Sequence, residues 1–202
     1  MANLTKNQAL KSQIRIIGGL YRGKKIAFPT IENLRPTPDR VRETLFNWLM
    51  QDVRNARCLD AFAGSGALGF EAFSRGAKEV WMVEASRLAF QSLEANGRRF
   101  KGAPFQCLQA DVIAFLKNTQ ASFDIIFLDP PFKGHGELLQ ECLSITASSH
   151  CLVPGGLLYV ESPREIHPDA DLWVVRKSKK AGKVYYALLE KTAMSNYRPI
   201  NI

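Results

Sequence analysis

Apolar and polar positions follow two different regimes along this chain. Residues 14–28 (IRIIGGLYRGKKIAF) alternate in the manner of two strands and predict a hairpin that turns near Gly18-Gly19. Arg35-Pro36-Thr37-Pro38 then opens a helix, with Thr37 as the expected cap and Pro38 at the first helical position. Val41, Leu45 and Trp48 follow at i, i+4 and i+7, one buried stripe that runs to about Met50. From residue 57 the pattern alternates between short apolar runs and helical periods. Strands are expected at 58–62, 79–84, 105–109, 125–128 and 157–161, and helices at 67–75, 86–99, 111–118 and 137–149. Runs as short and as fully apolar as 125–128 (IIFL) belong in a parallel sheet covered on both faces. Residues 172–175 and 184–189 flank a basic, glycine-containing turn and predict an antiparallel hairpin at the end. The expected fold is α/β, a doubly wound and mostly parallel sheet with an antiparallel C-terminal edge hairpin. A small N-terminal hairpin-plus-helix extension spans residues 1–52, the main domain 53–191, and an unpatterned tail 192–202.

Composition narrows the class. The chain has 202 residues, 46% hydrophobic and 23% charged, which suits one folded α/β domain with a small extension. Its apolar runs are too short to span a bilayer, and the first residues (MANLTKNQALKSQ) lack the apolar centre of a signal peptide. Cys58, Cys107, Cys142 and Cys151 are scattered without a CxxC, so reduced thiols and a cytoplasmic location are expected. Neither these cysteines nor His135, His150 and His167 show metal-ligand spacing, and no metal is expected. The net charge of +8 is concentrated. Lys6, Lys11, Arg15, Arg22, Lys24 and Lys25 are the only charged side chains through residue 31, and Arg176, Lys177, Lys179, Lys180 and Lys183 form a second acid-free run. Segregated positive charge points to a polyanionic partner, nucleic acid first, against the plainer reading of a soluble arm and a solvated turn.

Two segments carry chemistry. Asp60 closes the first strand of the main domain and runs into Ala63-Gly64-Ser65-Gly66-Ala67-Leu68-Gly69. This is a strand, a glycine turn and a helix start, the arrangement that lets backbone approach a nucleoside-containing cofactor. Glu84, at the end of the next strand, is placed to accept hydrogen bonds from two ribose hydroxyls. GSGALG also matches the dinucleotide fingerprint, so an NAD(P)-dependent oxidoreductase is an alternative. Asp60 counts against it: a carboxylate suits a cationic amine, whereas a pyrophosphate needs bare amides. The second segment, Asp129-Pro130-Pro131-Phe132, follows the fourth parallel strand. The Asp129 side chain and the Pro130 carbonyl are two acceptors held stiffly by proline, and an exocyclic amino group offers two N–H donors. Phe132 offers a flat face for an extruded base.

D-x-F-x-G-x-G, the acid closing the second strand and the DPPF loop together resemble the class I S-adenosylmethionine-dependent methyltransferases that modify exocyclic amines of nucleic-acid bases. The likeness narrows with Arg15-Ile16-Ile17-Gly18-Gly19, Arg22-Gly23-Lys24-Lys25 and residues 34–49 (LRPTPDRVRETLFNWL). These are similar to the D-type family of bacterial 16S rRNA guanine-N2 methyltransferases, over nearly the whole chain. The resemblance implies a Rossmann-like, mostly parallel seven-stranded sheet, S-adenosylmethionine as cofactor, and one guanine in a hairpin loop of 16S rRNA as target. It implies a substrate within an assembled or partly assembled small ribosomal subunit. A monomer is the expected state, since no long heptad or apolar tail appears. Carried over residue by residue, Asp60, Gly64, Ser65 and Gly66 hold the methionine part of the cofactor and Glu84 its ribose. Asp111 meets the adenine amino group, with a plain helix cap as the competing reading. Asp129, Pro130 and Phe132 form the catalytic loop, and Arg40 reaches the cofactor carboxylate or the RNA, or merely starts a helix. The expected reaction is direct transfer of the sulfonium methyl to guanine N2, without metal or covalent intermediate. An adenine-N6 methyltransferase needs the same acceptors, and a non-catalytic RNA-binding factor could retain the fold; both stand as alternatives.

Overall fold

The computed structural model describes residues 12–31, 36–100, 104–131 and 136–192. Phe132, Lys6, Lys11, Arg35 and the tail from 193 on lie outside these residues. Strands β1 (Ser12–Arg15) and β2 (Lys25–Phe28) pair antiparallel, and helix α1 (Asp39–Trp48) follows them. Strand β3 (Arg57–Asp60) starts the regular alternation through α2 (Ala67–Ser74), β4 (Glu79–Glu84), α3 (Arg87–Gly97), β5 (Phe105–Gln109), α4 (Val112–Asn118), β6 (Phe123–Leu128), α5 (Glu137–Ser148) and β7 (Leu152–Ser162). Strands β8 (Trp173–Ala181) and β9 (Val184–Lys191) complete a seven-stranded sheet in the order β5-β4-β3-β6-β7-β9-β8. The pairs from β5 across to β7 are parallel, and β9 runs antiparallel to both β7 and β8. The doubly wound sheet and its antiparallel end are as expected from the sequence.

Alternation along the strands divides the core between the two sheet faces. Ile125 and Phe127 of β6 pack on one side with Cys58, Met82 and Tyr159, while Ile126 and Leu128 pack on the other with Leu59, Val83 and Val160. The N-terminal unit supplies part of the first face. Ile14, Ile16, Ile26 and Phe28 from the hairpin and Val41, Leu45, Phe46 and Leu49 from α1 and its end are all buried there. Burial of each such side chain is worth about 1.5–3 kcal/mol, so this unit shares its core with the main domain.

Four local expectations are corrected. The loop containing Gly18-Gly19 is more than a turn, because it docks on the end of α2. Leu20 N–H donates to the Ser74 carbonyl at 2.7 Å, and a Cβ on Gly19, whose φ is +76°, would lie 1.8 Å from that oxygen. Only glycine permits so close an approach. Thr37 does not cap α1. Pro38 occupies the cap position, its carbonyl accepts the N–H groups of Val41 and Arg42, and the Thr37 hydroxyl donates elsewhere, to Asp129 Oδ2 at 3.3 Å. The basic run after residue 175 is strand rather than turn: β8 continues to Ala181, and the turn is confined to Gly182 and Lys183. Arg176, Lys177, Lys179 and Lys180 therefore lie exposed along an edge strand. Finally, β3 ends at Asp60, two residues earlier than expected, where the chain bends into the glycine loop.

Candidate active site

Sequence order reverses in the sheet between β3 and β6, and open α/β sheets bind ligands outside the strand ends at such a switch point. The two segments singled out above emerge side by side there. Asp60 pairs in register with Phe127, two residues before Asp129.

The glycine loop is held from three sides. Gly66 is the cap of α2 with φ +77°, and Gly64 has φ +51°. A Cβ on Gly66 would lie 2.5 Å from the Phe70 ring and 2.8 Å from Leu93, so backbone sits directly on helix side chains. Ser65 is buried beside them. Asp60 Oδ2 accepts the Gly69 N–H at 2.9 Å, tying the strand end to α2. Burial pushes the Asp60 carboxyl up to about 7; the Gly69 bond opposes that shift and the Glu84 charge adds to it. Glu84 bridges two turns, with Oε2 accepting the Gly64 N–H at 2.8 Å and Oε1 the Ser86 N–H at 2.7 Å. The set of groups suits a sulfonium amino-acid nucleoside: a buried carboxylate with no cation among its partners in the described residues, a loop that is half-buried at Gly64, and a second carboxylate with lone pairs left for a diol.

The corner after β6 is acidic and nearly dry. Pro130 is buried and Asp129 half-buried. Thr37, brought in by the start of α1, donates to Asp129. On the neighbouring strand, Tyr159 Oη donates to Glu161 Oε1 at 2.8 Å, and both residues are buried. Burial raises the Asp129 carboxyl well above the usual range; the nearby Glu161 and Asp60 charges raise it further, and the Thr37 hydroxyl pulls it back. Burial raises Glu161 too, against the Tyr159 and Thr37 hydroxyls.

The remaining expected residues are more peripheral. Asp111 caps α4, accepting the Ala114 N–H at 2.9 Å, and its side chain is exposed. Arg40 is exposed on α1. The start of α1 is tied to the hairpin instead by Arg42, which the sequence reading passed over. Fully buried, it donates to the Thr37 carbonyl at 3.2 Å and the Arg15 carbonyl at 3.1 Å, and pairs with Asp39 at 2.6 Å. It also lies 3.5 Å from Glu71, another buried side chain, whose carboxylate accepts the Ile17 and Gly18 N–H groups at 2.8 Å each. A glutamate within the apolar run ALGFEAF was the available signal for Glu71. Thr37 and Glu161 were likewise missed as neighbours of Asp129, since the start of α1 brings in the first and the β6–β7 register the second.

Strand order and switch-point site define the class as a Rossmann-like methyltransferase fold. The family profile described as Conserved hypothetical protein 95 matches residues 14–190, and the chain belongs to that family. It is 42% identical over 187 residues to ribosomal RNA small subunit methyltransferase D of Haemophilus influenzae, covering 89% of this chain and 95% of that protein. It is 40% identical over 189 residues to the protein of the same name from Escherichia coli K12, covering 93% and 94%. A solved putative methyltransferase of Escherichia coli superimposes with a TM-score of 0.82 at 42% identity, over 91% of this chain and 100% of that one. A Thermus thermophilus 16S rRNA N2 methyltransferase, solved with AdoMet and guanosine, shares the fold at 24% identity and a TM-score of 0.65, covering 90% of this chain and 50% of that one.

Proposed function

We propose that the protein is an S-adenosylmethionine-dependent small-subunit rRNA methyltransferase that modifies the exocyclic N2 of one guanine in a hairpin loop of 16S rRNA. The carrying observation is the placement of the Asp129-Pro130 corner beside Asp60 and the glycine loop at one switch point. The names of the relatives supply the substrate class. The cofactor, when bound, supplies an electrophilic methyl group on sulfur. Asp60 takes its ammonium, the backbone of Gly64, Ser65 and Gly66 lines its path, Glu84 accepts from its ribose, and Asp111 meets its adenine through the lone pairs its cap bond leaves free. Arg40 serves the cofactor carboxylate or an RNA phosphate.

At the other side, the Asp129 carboxylate and the Pro130 carbonyl accept the two N–H groups of the base amine. That turns the nitrogen lone pair toward the incoming methyl, and alignment of this kind is the main work left to the protein. Phe132 stacks on the base. An unstacked base is needed, which favours a loop over a duplex. The basic edge strand and N-terminal unit hold phosphates and set register. The protein works as a monomer in the cytoplasm, on an assembled or partly assembled subunit.

The test uses a methyl-labelled cofactor with naked 16S rRNA and with small subunits, followed by digestion to nucleosides. N2-methylguanosine from the wild type, and none from Asp129→Ala with cofactor affinity retained, is the expected result. N6-methyladenosine would establish the alternative base, and no labelled nucleoside would refute the enzyme reading.

A further inference from the structure

The catalytic corner described above uses one carboxylate, yet the fold builds two. Phe127 and Leu128 of β6 are in parallel register with Tyr159 and Val160 of β7. The next positions, Asp129 and Glu161, are therefore neighbours across adjacent strands, about 4.8 Å apart in the sheet, and on the same face. Glu161 is 3% exposed. Among the described residues its neighbours are the Tyr159 hydroxyl, the Thr37 hydroxyl and Asp129, none of them a cation. Tyr159 occupies one of the roughly four lone-pair positions of that carboxylate. A buried carboxylate with so few donors, next to a second carboxylate, is costly to keep unless a ligand brings donors to it.

Guanine brings them in a row. Its amino group at C2 is flanked by the ring N1–H, so the edge that presents the reacting nitrogen carries adjacent donors. Adenine presents its amino group beside a ring N1 that carries a lone pair. A carboxyl oxygen accepting next to the amine-binding corner thus favours the first edge, and it meets a lone pair on the second. We propose that Glu161 is the specificity-determining acceptor for the ring N1–H of the target guanine, beside Asp129 and Pro130 at the amino group. The assignment rests on the guanine-N2 reading above and explains how a DPPF loop, which suits either base, becomes selective.

The experiment compares 16S rRNA substrates carrying guanine or 2-aminopurine at the target position, each with the wild type and Glu161→Gln. 2-Aminopurine keeps the amino group and replaces N1–H by a lone pair. The glutamine can keep its carbonyl oxygen toward Tyr159 and present an N–H donor where the carboxylate offered an acceptor. Wild type is expected to favour guanine in kcat/KM by tenfold to a hundredfold, on the order of one hydrogen bond to a charged group. Glu161→Gln is expected to reduce that preference at least tenfold or invert it. Fluorescence of the bound 2-aminopurine reads the same change without turnover, as tighter binding to the variant. The ratio between two substrates on one preparation is independent of how much of the variant is folded, and comparing that ratio between wild type and variant cancels the loss of O6 in the analogue. An unchanged ratio, with both substrates slowed equally or not at all, overturns the assignment. Failure of the wild type to produce N2-methylguanosine from the guanine substrate instead overturns the functional reading, and this assignment with it.

Discussion

Replacing Glu71 by glutamine tests how the N-terminal unit is held over the site. The Glu71 carboxylate is fully buried and has four polar neighbours: the Ile17 and Gly18 N–H groups at 2.8 Å, Arg75 Nε at 2.8 Å, and Arg42 Nη1 at 3.5 Å. Every one of them donates. Glutamine turns one acceptor oxygen into a donor, and each oxygen serves one backbone N–H and one arginine, so two of these groups lose their partner and face an N–H. Leaving one buried donor unsatisfied costs about 1–3 kcal/mol. Depriving a buried cation of its carboxylate costs about 3–5 kcal/mol. Arg42 keeps Asp39 at 2.6 Å, which moderates the second figure. A loss of about 3 kcal/mol is therefore expected, against a total of about 5–15 kcal/mol for a domain. Urea unfolding should show a lower midpoint at similar slope. Asp39→Asn, at a side chain 56% exposed, should cost under about 1 kcal/mol. Methyl transfer by Glu71→Gln should also slow, because Arg42, which pairs with Glu71, also holds the Thr37 carbonyl, and the Thr37 hydroxyl donates to Asp129. A loss below about 1 kcal/mol would refute the view that this carboxylate clamps the N-terminal unit.

Three further outcomes follow from the site. Gly66→Ala combines a left-handed backbone with a Cβ 2.5 Å from Phe70, so cofactor affinity should fall at least tenfold and stability by about 2 kcal/mol, read by calorimetry and urea unfolding. Asp60 is raised to about 7, so its charged form disfavours the ligand-free fold as pH climbs from the ordinary carboxylate range through 7; a bound ammonium removes that cost. S-adenosylhomocysteine should hence bind more tightly as pH rises from 5.5 to 7.5 and release a proton near pH 6, seen as a buffer-dependent heat that Asp60→Asn abolishes. Converting the exposed Lys177, Lys179 and Lys183 to glutamine should weaken rRNA binding and reduce the salt slope by about one for each phosphate no longer neutralised, whereas an unchanged slope would remove the edge strand from the interface.

The parallel sheet was legible because its strands are short, apolar and spaced by helical periods, and the two chemical segments because glycine and proline mark sharp turns at strand ends. What escaped the reading depends on pairings distant in sequence. Thr37 looks like a cap in Thr-Pro-Asp, yet the proline takes the cap position and frees the hydroxyl for a residue 92 positions away. Arg42 and Glu71 look like ordinary helix charges, and only tertiary packing shows that each is buried against the other. Arg176 to Lys180 sit beside a glycine and read as loop, but cross-strand pairing with β9 extends the strand through them. Lys24 counted toward a basic arm, although its amine lies 3.8 Å from the Phe100 ring centroid and donates to the Arg99 carbonyl. Charge counts register such residues without showing that they are engaged internally.

The most direct test of the central claim is a crystal structure with S-adenosylhomocysteine and guanosine. The account predicts the homocysteine ammonium on Asp60, the sulfur facing the corner after β6, and the guanine amino group bonded to Asp129 and the Pro130 carbonyl. A sulfur directed away from that corner, or a base amine bound elsewhere, would contradict it.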